Sequence, residues 1–190
     1  AMALSGQIYH VLENAPVSRI KTLRYQVPRF HTVGDSHSKN GWPGQVAQHY
    51  VGSKLCWNID HVDLQALDKP SVQEGDALCF CFGEIDCRAH VHKHVKSEAR
   101  AYQQVIDDII SRYFTYLRRE VPLLPPRIQV FVYNVLPPVR SGVMYHREEV
   151  LAYPYQGDDW ERLSYVRYFN RRLASECLRY GYIFFDVYDR

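Results

Sequence analysis

Apolar and polar positions along the chain form two kinds of pattern, and the order of these patterns predicts the fold. Continuous apolar runs bounded by glycine, proline or polar residues are typical of buried strands. The runs are residues 29–34, 77–82, 127–135 and 182–187, and a helix end with a further short strand is expected within residues 47–59.

Two longer segments place apolar residues at helical spacing. The first runs from Glu98 to Glu120 and is broken by VPLLPP. The second follows Asp158 or Asp159, either of which could cap a helix, and Gly181 stands where a helix-ending glycine belongs. Strands that alternate with helices predict an α/β sandwich whose parallel sheet is covered on both faces.

The length of 190 residues suits one domain, with residues 1–27 as an edge segment and residues 28–190 as the body. A net charge of +2 gives no general attraction to nucleic acid or to an anionic membrane. No apolar run reaches the roughly 20 residues of a membrane span, and the opening AMALSGQ lacks the apolar core of a signal peptide. Five cysteines, three of them in or beside one apolar strand, predict reduced thiols and a cytoplasmic location.

The stretch FHTVGDSHSKNGW places a serine between an aspartate and a histidine directly after the first predicted strand. Ligands of parallel α/β sheets bind beyond the carboxyl ends of the strands, so Ser36 has the position of a nucleophile. Backbone N–H groups at a helix start could stabilise an oxyanion there. The alternative is that Asp35 or Ser36 only caps a helix, which is a common role of both residue types.

A second polar cluster, CFGEIDCRAHVHKH, follows the apolar run that starts at Ala77. Glu84 and Asp86 are alternate residues and would share one face of an extended segment. Arg88 could pair with either acid or hold an anionic or sugar group.

Three alternate histidines, His90, His92 and His94, end this cluster. Imidazoles suit zinc, copper or nickel, so a metal site is one interpretation. Exposed loop histidines, or one histidine that acts as a hydrogen-bonding partner, are the other. Because ligand type without known geometry is a poor guide, no metal and no cofactor is predicted.

The motifs VGDSHS and FGEIDCR resemble the first and third blocks of the SGNH (GDSL-type) hydrolase superfamily. VLPP is similar to a proline-containing turn of that family, and YIFFDVYD resembles the strand before its last block. The resemblance implies a flavodoxin-like, three-layer α/β/α fold with a parallel sheet of about five strands. It also implies an ester hydrolase, often one that removes acetyl groups from carbohydrate.

The resemblance assigns roles to individual residues. Ser36 is the expected nucleophile, and its own N–H is one oxyanion donor. Gly52 matches the second-block glycine and is the expected second donor, while Gly83 matches the glycine of the third block. The other residues expected in the oxyanion or substrate-binding site are Asp35, His37, Glu84, Asp86 and Arg88.

Two positions depart from the family pattern. The third block is usually G-x-N-D, and Ile85 stands where an oxyanion asparagine is expected, so Arg88 or Asn58 would have to replace that donor. Loss of one such donor costs about a hundred- to a thousandfold in rate. The family's base lies in a D-x-x-H block after the last strand, and none follows that strand before Arg190. Among the histidines near the expected site, His92 is the preferred base.

Three functions fit these motifs. The first is a serine hydrolase or acyltransferase for acyl esters, with O-acetylated carbohydrate as the expected substrate and an acyl-enzyme on Ser36. The second is a non-hydrolytic module of the same fold that binds glycan or protein, or belongs to a larger glycan-modifying polypeptide. The third is a metal-dependent hydrolase that uses the histidine run. A nucleotide site is disfavoured because the first loop lacks a glycine-rich phosphate cradle.

Overall fold

Five parallel strands form a single sheet in the computed structural model, which describes residues 28–64, 72–140 and 152–188. The predicted edge segment 1–27 lies outside the described residues. The strands are β1 (Phe30–Gly34), β2 (Ala47–Tyr50), β3 (Ala77–Cys81), β4 (Gln129–Tyr133) and β5 (Ile183–Phe185). Their order, β2-β1-β3-β4-β5, is the flavodoxin-like order. The predicted α/β class with a five-stranded parallel sheet is therefore confirmed.

The longer helices connect the later strands. They are α1 (Val91–Glu98), α2 (Tyr102–Glu120) and α3 (Asp159–Tyr180). Asp158, rather than Asp159, caps α3, because its side chain accepts the Glu161 N–H while the Glu161 carboxylate accepts the Asp158 N–H. Gly181 ends this helix at φ 72°, as the sequence predicts.

The predicted helix from Glu98 to Glu120 is two helices. Glu98 is the last residue of α1, and α2 begins only at Tyr102. Ala99 between them has the left-handed conformation, with φ 51°, which stops α1. Residues 96–99 are all exposed, so no buried apolar position in the sequence marks the break.

The segment after β3 is helical rather than extended. Its first residues form a helical turn, a π-helix runs over Asp86–His90, and α1 continues directly from it. The Cys87 N–H donates to the Gly83 carbonyl at 3.0 Å and closes the first turn. The expectation that Glu84 and Asp86 share a face is therefore wrong, because residues two apart on a helix diverge and residues four apart align.

The two faces of the sheet are packed differently. Apolar residues of β1, β3 and β4 form one core with the helices, and these strand residues are Val33, Leu78, Phe80, Val130 and Val132. Alternate positions on the opposite face carry an aromatic cluster built from Phe30, Trp42, Phe131, Tyr133 and Phe185. All five residues of β3, the central strand, are buried.

The register of the strands brings their carboxyl ends to one level. Gly34 at the end of β1 pairs with Tyr50 of β2 and with Cys81 of β3. The segments that follow these three strands therefore leave the sheet at the same edge, as do the residues after β4.

Candidate active site

Ser36 opens a short 3-10 helix, Ser36–Ser38, directly beyond β1. Asp35 is the cap of this helix, because its carboxylate accepts the His37 N–H at 2.9 Å. Ser38 is buried, and its hydroxyl donates to the Asp35 carbonyl at 2.8 Å. Within the described part of the chain, the Ser36 hydroxyl and the Ser36 N–H have no hydrogen-bond partner. Ser36 is therefore free for chemistry, and capping is done by its neighbour.

The end of β1 is held tightly between its neighbours. The Asp35 N–H donates to the Cys81 carbonyl at 3.2 Å, and the Val51 N–H donates to the Gly34 carbonyl at 3.0 Å. A Cβ at Gly34 would lie 2.0 Å from the Cys81 oxygen, so only glycine allows this approach. The position of Ser36 is thus set by backbone contacts on both sides.

Gly52 follows β2 at the same edge of the sheet. Its φ is 89°, a conformation that glycine adopts without strain, and there is open space where a Cβ would stand. The Gly52 N–H, like that of Ser36, donates to none of the described residues. Two adjacent segments therefore each present a backbone N–H that no described group accepts, and neither Ser36 nor Gly52 borders a cavity described below.

His37 is held by the carboxylate two residues before it. Its Nδ1–H donates to the Asp35 Oδ1 atom at 3.1 Å. Asp35 is 1% exposed, and its other oxygen has no hydrogen bond to any described group. Burial opposes a charged imidazole, but the hydrogen bond to Asp35 and the charges of Asp35 and Glu84 outweigh it, so the pKa of His37 is raised above 6.5. The arrangement resembles the acid–histidine half of a catalytic triad.

Two neighbouring cavities open at this edge of the sheet. They share four lining residues, which are His37, Glu84, Val135 and Leu136. The smaller cavity is also bounded by Asp35 and Asn134. The larger, of about 130 Å³, is completed by Cys87, Arg88, Pro137, Pro138, Val139, Tyr155, Arg162 and Val166. An apolar, proline-rich wall therefore faces a polar wall.

Glu84 and Arg88 form the polar wall, one helical turn apart. The Glu84 Oε1 atom lies 3.4 Å from the Arg88 Nε atom. Burial, aided by the charge of Asp35, raises the pKa of Glu84 against the opposing effect of Arg88 and His37. The Arg88 guanidinium lies 5.2 Å from the centre of the Tyr155 ring, and its buried Nε atom has no hydrogen bond to the described residues. This wall can therefore both accept and donate hydrogen bonds.

Asp86 borders neither cavity, and its described contacts are with the backbone of a neighbouring segment. Its side chain is fully buried and accepts the N–H groups of Cys56 and Trp57 at 2.7 and 3.2 Å. These amides begin the 3-10 helix Cys56–His61, which Asp86 thereby links to the segment after β3. Burial raises the pKa of Asp86 to about 7, against the lowering effect of both backbone hydrogen bonds.

His92 is separated from the cavities. Its Nδ1 atom lies 3.2 Å from the Tyr165 hydroxyl and 3.6 Å from a Glu161 carboxylate oxygen, beside the start of α3. His90 and His94 instead lie together, one helical turn apart, beside Trp57. The alternate spacing of the three histidines therefore does not place all three on one face, because the segment is a helix. Among the residues with a described position, no group of three His, Cys, Asp or Glu side chains is placed to hold a metal ion.

The residue at the expected oxyanion asparagine, Ile85, is buried. Asn58 is exposed on the 3-10 helix and does not border either cavity. Sequence reasoning missed Asn134, which directly follows β4 and borders the smaller cavity. Its amide NH2 donates to the Val135 carbonyl and its amide oxygen accepts the Val187 N–H, at 3.0 Å each. A polar residue that directly follows an apolar strand was the available signal.

The sequence also did not identify Tyr155 and Arg162 as cavity residues, because nothing in it distinguishes them from the many other aromatic and basic residues of the chain. Arg162 is almost completely buried, donates to the Gly157 carbonyl at 2.6 Å, and stacks near the Tyr155 ring. A larger cavity of about 470 Å³, between α3 and β5, is lined by none of the expected site residues.

The fold is similar to two solved structures, phospholipase A1 from Streptomyces albidoflavus NA297 and an extracellular lipase from Streptomyces rimosus. Each is 12% identical to this chain, with a TM-score of 0.50. The similarity covers 85% of this chain and 80% and 81% of those chains, respectively. At this identity the likeness establishes a shared fold. No protein-family model matches the sequence, and no curated protein matches it.

In the portion of the chain with described structure, every helix is too short or too polar to cross a membrane.

Proposed function

We propose that this protein is an SGNH-like serine hydrolase that acts on acyl esters through an acyl-enzyme on Ser36, with O-acetylated carbohydrate as its substrate. The observation that carries the proposal is the unpaired Ser36 hydroxyl at the carboxyl edge of the sheet, beside two unpaired backbone donors and the Asp35–His37 pair. The fold shared with a phospholipase and a lipase supports it.

The reaction follows from these groups. The Ser36 Oγ atom attacks the acyl carbonyl carbon and loses its proton, and the resulting oxyanion accepts hydrogen bonds from the N–H groups of Ser36 and Gly52. Collapse of this intermediate expels the alcohol, which takes up the proton. Water then attacks the acyl-enzyme in the same way and releases the carboxylic acid and Ser36.

We assign the proton transfer to His37 rather than to His92. His37 borders both cavities. Its Nδ1–H donates to Asp35, so its Nε2 atom has the lone pair that can accept the proton of Ser36. His92 faces Tyr165 and Glu161 instead. A base must come within about 3 Å of the serine hydroxyl in the complex with substrate.

The polar wall supports a sugar ester as substrate. Glu84 can accept from sugar hydroxyl groups, and Arg88 can donate to sugar oxygens from a fixed planar fork. Tyr155, which lines the larger cavity beside Arg88, adds a hydroxyl that can donate to or accept from a sugar. The larger cavity suits a small ligand group rather than a long acyl chain.

The test compares the wild type with Ser36→Ala on nitrophenyl acetate and on an acetylated sugar. The variant should lose about a thousandfold or more in turnover, because the nucleophile is removed. A fluorophosphonate probe should add once to the wild type and not to the variant. Ser111→Ala, at an exposed position of α2, is the matched control and should behave as wild type.

A second candidate is a module of the same fold that binds glycan without hydrolysing it, alone or within a larger glycan-modifying polypeptide. It is favoured by one observation: among the described residues, no side-chain base is hydrogen-bonded to Ser36. Wild-type protein that neither turns over esters nor takes up the probe, yet binds an acetylated glycan, would favour this module and contradict the hydrolase.

A further inference from the structure

Outside the cavities, two histidines converge on one side of the helical segment that follows β3. His90 ends the π-helix and His94 lies one turn later in α1. Their Nε2 atoms are 2.9 Å apart. The Trp57 ring stacks on His94 at 4.6 Å and is tilted against His90 at 5.1 Å, so both imidazoles are held by packing.

The separation of the two nitrogens, 2.9 Å, is an ordinary hydrogen-bond distance, and it also matches two adjacent ligands of one metal ion. Metal–nitrogen bonds of about 2.0–2.1 Å that meet at a right angle place their nitrogens about 2.9 Å apart, whereas a tetrahedral angle requires about 3.3 Å. Right-angled nitrogen and oxygen coordination is preferred by Cu²⁺ and Ni²⁺. The pair therefore already has the spacing of two adjacent ligands on such an ion.

A third residue prepares His94 for this role. The Nδ1 atom of His94 is hydrogen-bonded to the Glu98 carboxylate, which accepts and so keeps the proton on Nδ1. The Nε2 atom is then left with its lone pair, as in the carboxylate–histidine–metal arrangement of many metal sites. Glu98 also adds negative charge beside the pair, against the positive charges of Lys93 and Arg112.

His90 donates the hydrogen bond between the two rings, because the Nδ1 atom of His94 already carries its proton and its Nε2 atom can only accept. On metal binding the proton between the two Nε2 atoms would move to the Nδ1 atom of His90, so that both Nε2 atoms offer a lone pair.

We propose that His90 and His94 form a binding site for one Cu²⁺ or Ni²⁺ ion, with water completing the coordination sphere. This site differs from a metal-dependent hydrolase centre, because it lies outside both cavities and contains only two protein ligands. The ion would join the π-helix to α1. The same π-helix carries Arg88, so the metal would stabilise the segment that holds the polar wall without entering the reaction.

The test is a titration of the full chain with Cu²⁺ or Ni²⁺, followed by the fluorescence of Trp57 and by calorimetry. Because Trp57 stacks on a proposed ligand, bound Cu²⁺ should quench its emission. Cu²⁺ should bind more tightly than Ni²⁺, and Ni²⁺ more tightly than Mn²⁺, as the general affinity order for divalent metals requires. The Cu²⁺ complex should give an electron spin resonance signal with two coordinated imidazole nitrogens.

His90→Gln and His94→Gln should each weaken binding at least tenfold, whereas His92→Gln, on the same helix but facing α3, should bind as wild type. Glu98→Gln should weaken binding about tenfold while the melting temperature without metal stays unchanged, because it retains both ligands and loses their orientation. Trp57→Phe should bind normally and lose the quenching.

Equal affinity in the wild type, His90→Gln and His94→Gln would overturn the proposal, and so would a failure of the wild type to bind either ion. Circular dichroism of each variant shows whether it is folded. Ser36→Ala should bind the metal as wild type does, since the site is independent of the hydrolase proposal.

Discussion

At the scale of single residues, two buried carboxylates at the same edge of the sheet have different tasks. Asp35 caps the turn after β1 and holds the His37 ring. Asp86 accepts the backbone amides of Cys56 and Trp57 and does not reach a cavity. The sequence predicted that both carboxylates lie near one site. The groups that each carboxylate contacts depend on the direction of its side chain. Spacing along the sequence did not give that direction, because the segment after β3 is helical rather than extended.

The pH dependence of hydrolysis should follow His37. The base form must be neutral, and its raised pKa means that activity falls as the pH drops through a midpoint above 6.5. Asp35→Asn removes the charge and should move this midpoint to lower pH, and Glu84→Gln should move it in the same direction by less. The measurement is kcat/KM for nitrophenyl acetate against pH.

His92→Gln is the comparison for this profile and should leave the midpoint where it is in the wild type. A midpoint that shifts with His92→Gln but not with Asp35→Asn would assign the proton transfer to His92.

At the scale of elements, the site depends on how closely β1 approaches β3 and on how the helices begin. The sequence predicted α3 and its final Gly181, because each signal lies within a few residues along the chain, and left the N-terminal cap open between Asp158 and Asp159. It did not predict the break at Ala99, where residues 96–99 are all exposed, or the π-helix over Asp86–His90, where Asp86, Cys87 and Ala89 are buried. Tertiary contacts, not local preference, determine such irregularities.

Gly34→Ala should destabilise the protein strongly. The added Cβ would lie 2.0 Å from the Cys81 carbonyl oxygen, so β1 and β3 would have to separate. A loss of about 1–3 kcal/mol or more in the free energy of unfolding is expected for such overpacking. Urea unfolding measures it. Gly44→Ala, with open space at its Cβ position, should change stability by less than about 0.5 kcal/mol, and equal losses in both variants would contradict the close approach.

Asp158→Ala should destabilise the start of α3. Its carboxylate accepts the Glu161 N–H at 2.8 Å, and loss of a helix cap typically costs about 1 kcal/mol. Asp158→Ser keeps an acceptor and should retain most of the stability. Thermal and urea unfolding of the two variants provide the comparison, and equal stability of Ala and Ser at this position would show that the cap contributes nothing.

At the scale of the whole molecule, one core joins the sheet to the helices and includes Cys56, Cys87 and Cys177, while Cys79 and Cys81 are buried on the other face of β3. All five cysteines are free and buried, which agrees with the prediction that they do not form disulfides. Burial raises the pKa values of Cys56, Cys81 and Cys87 well above their usual range and that of Cys177 to about 12. The thiolate is the reactive form, so these side chains are doubly protected.

A thiol reagent should therefore react with the native protein only as fast as it unfolds. The rate should be about a thousandfold or more below that of the denatured chain, in which all five thiols react. Time-resolved labelling with and without guanidinium measures this, and a reducing agent should leave the melting temperature unchanged. A thiol that reacts at once in the native state would contradict this packing.

The sequence by itself determined the class of fold and the edge of the sheet at which the site lies. The spacing of apolar residues and the residues that end strands are local properties of the sequence. A parallel sheet brings the ends of its strands to one side. The order of the elements therefore already places GDSH and GEIDCR together. Only the tertiary structure decided which of their side chains meet. Cys56 lies 30 residues from Asp86, and Val135 and Tyr155 lie still farther from Glu84 and Arg88, so their contacts arise only when strands and helices pack. The same packing left His37 beside the cavities. In the helical segment after β3, it directed His92 toward α3 and brought His90 next to His94, because an α-helix turns about 100° per residue and residues four apart lie on one side.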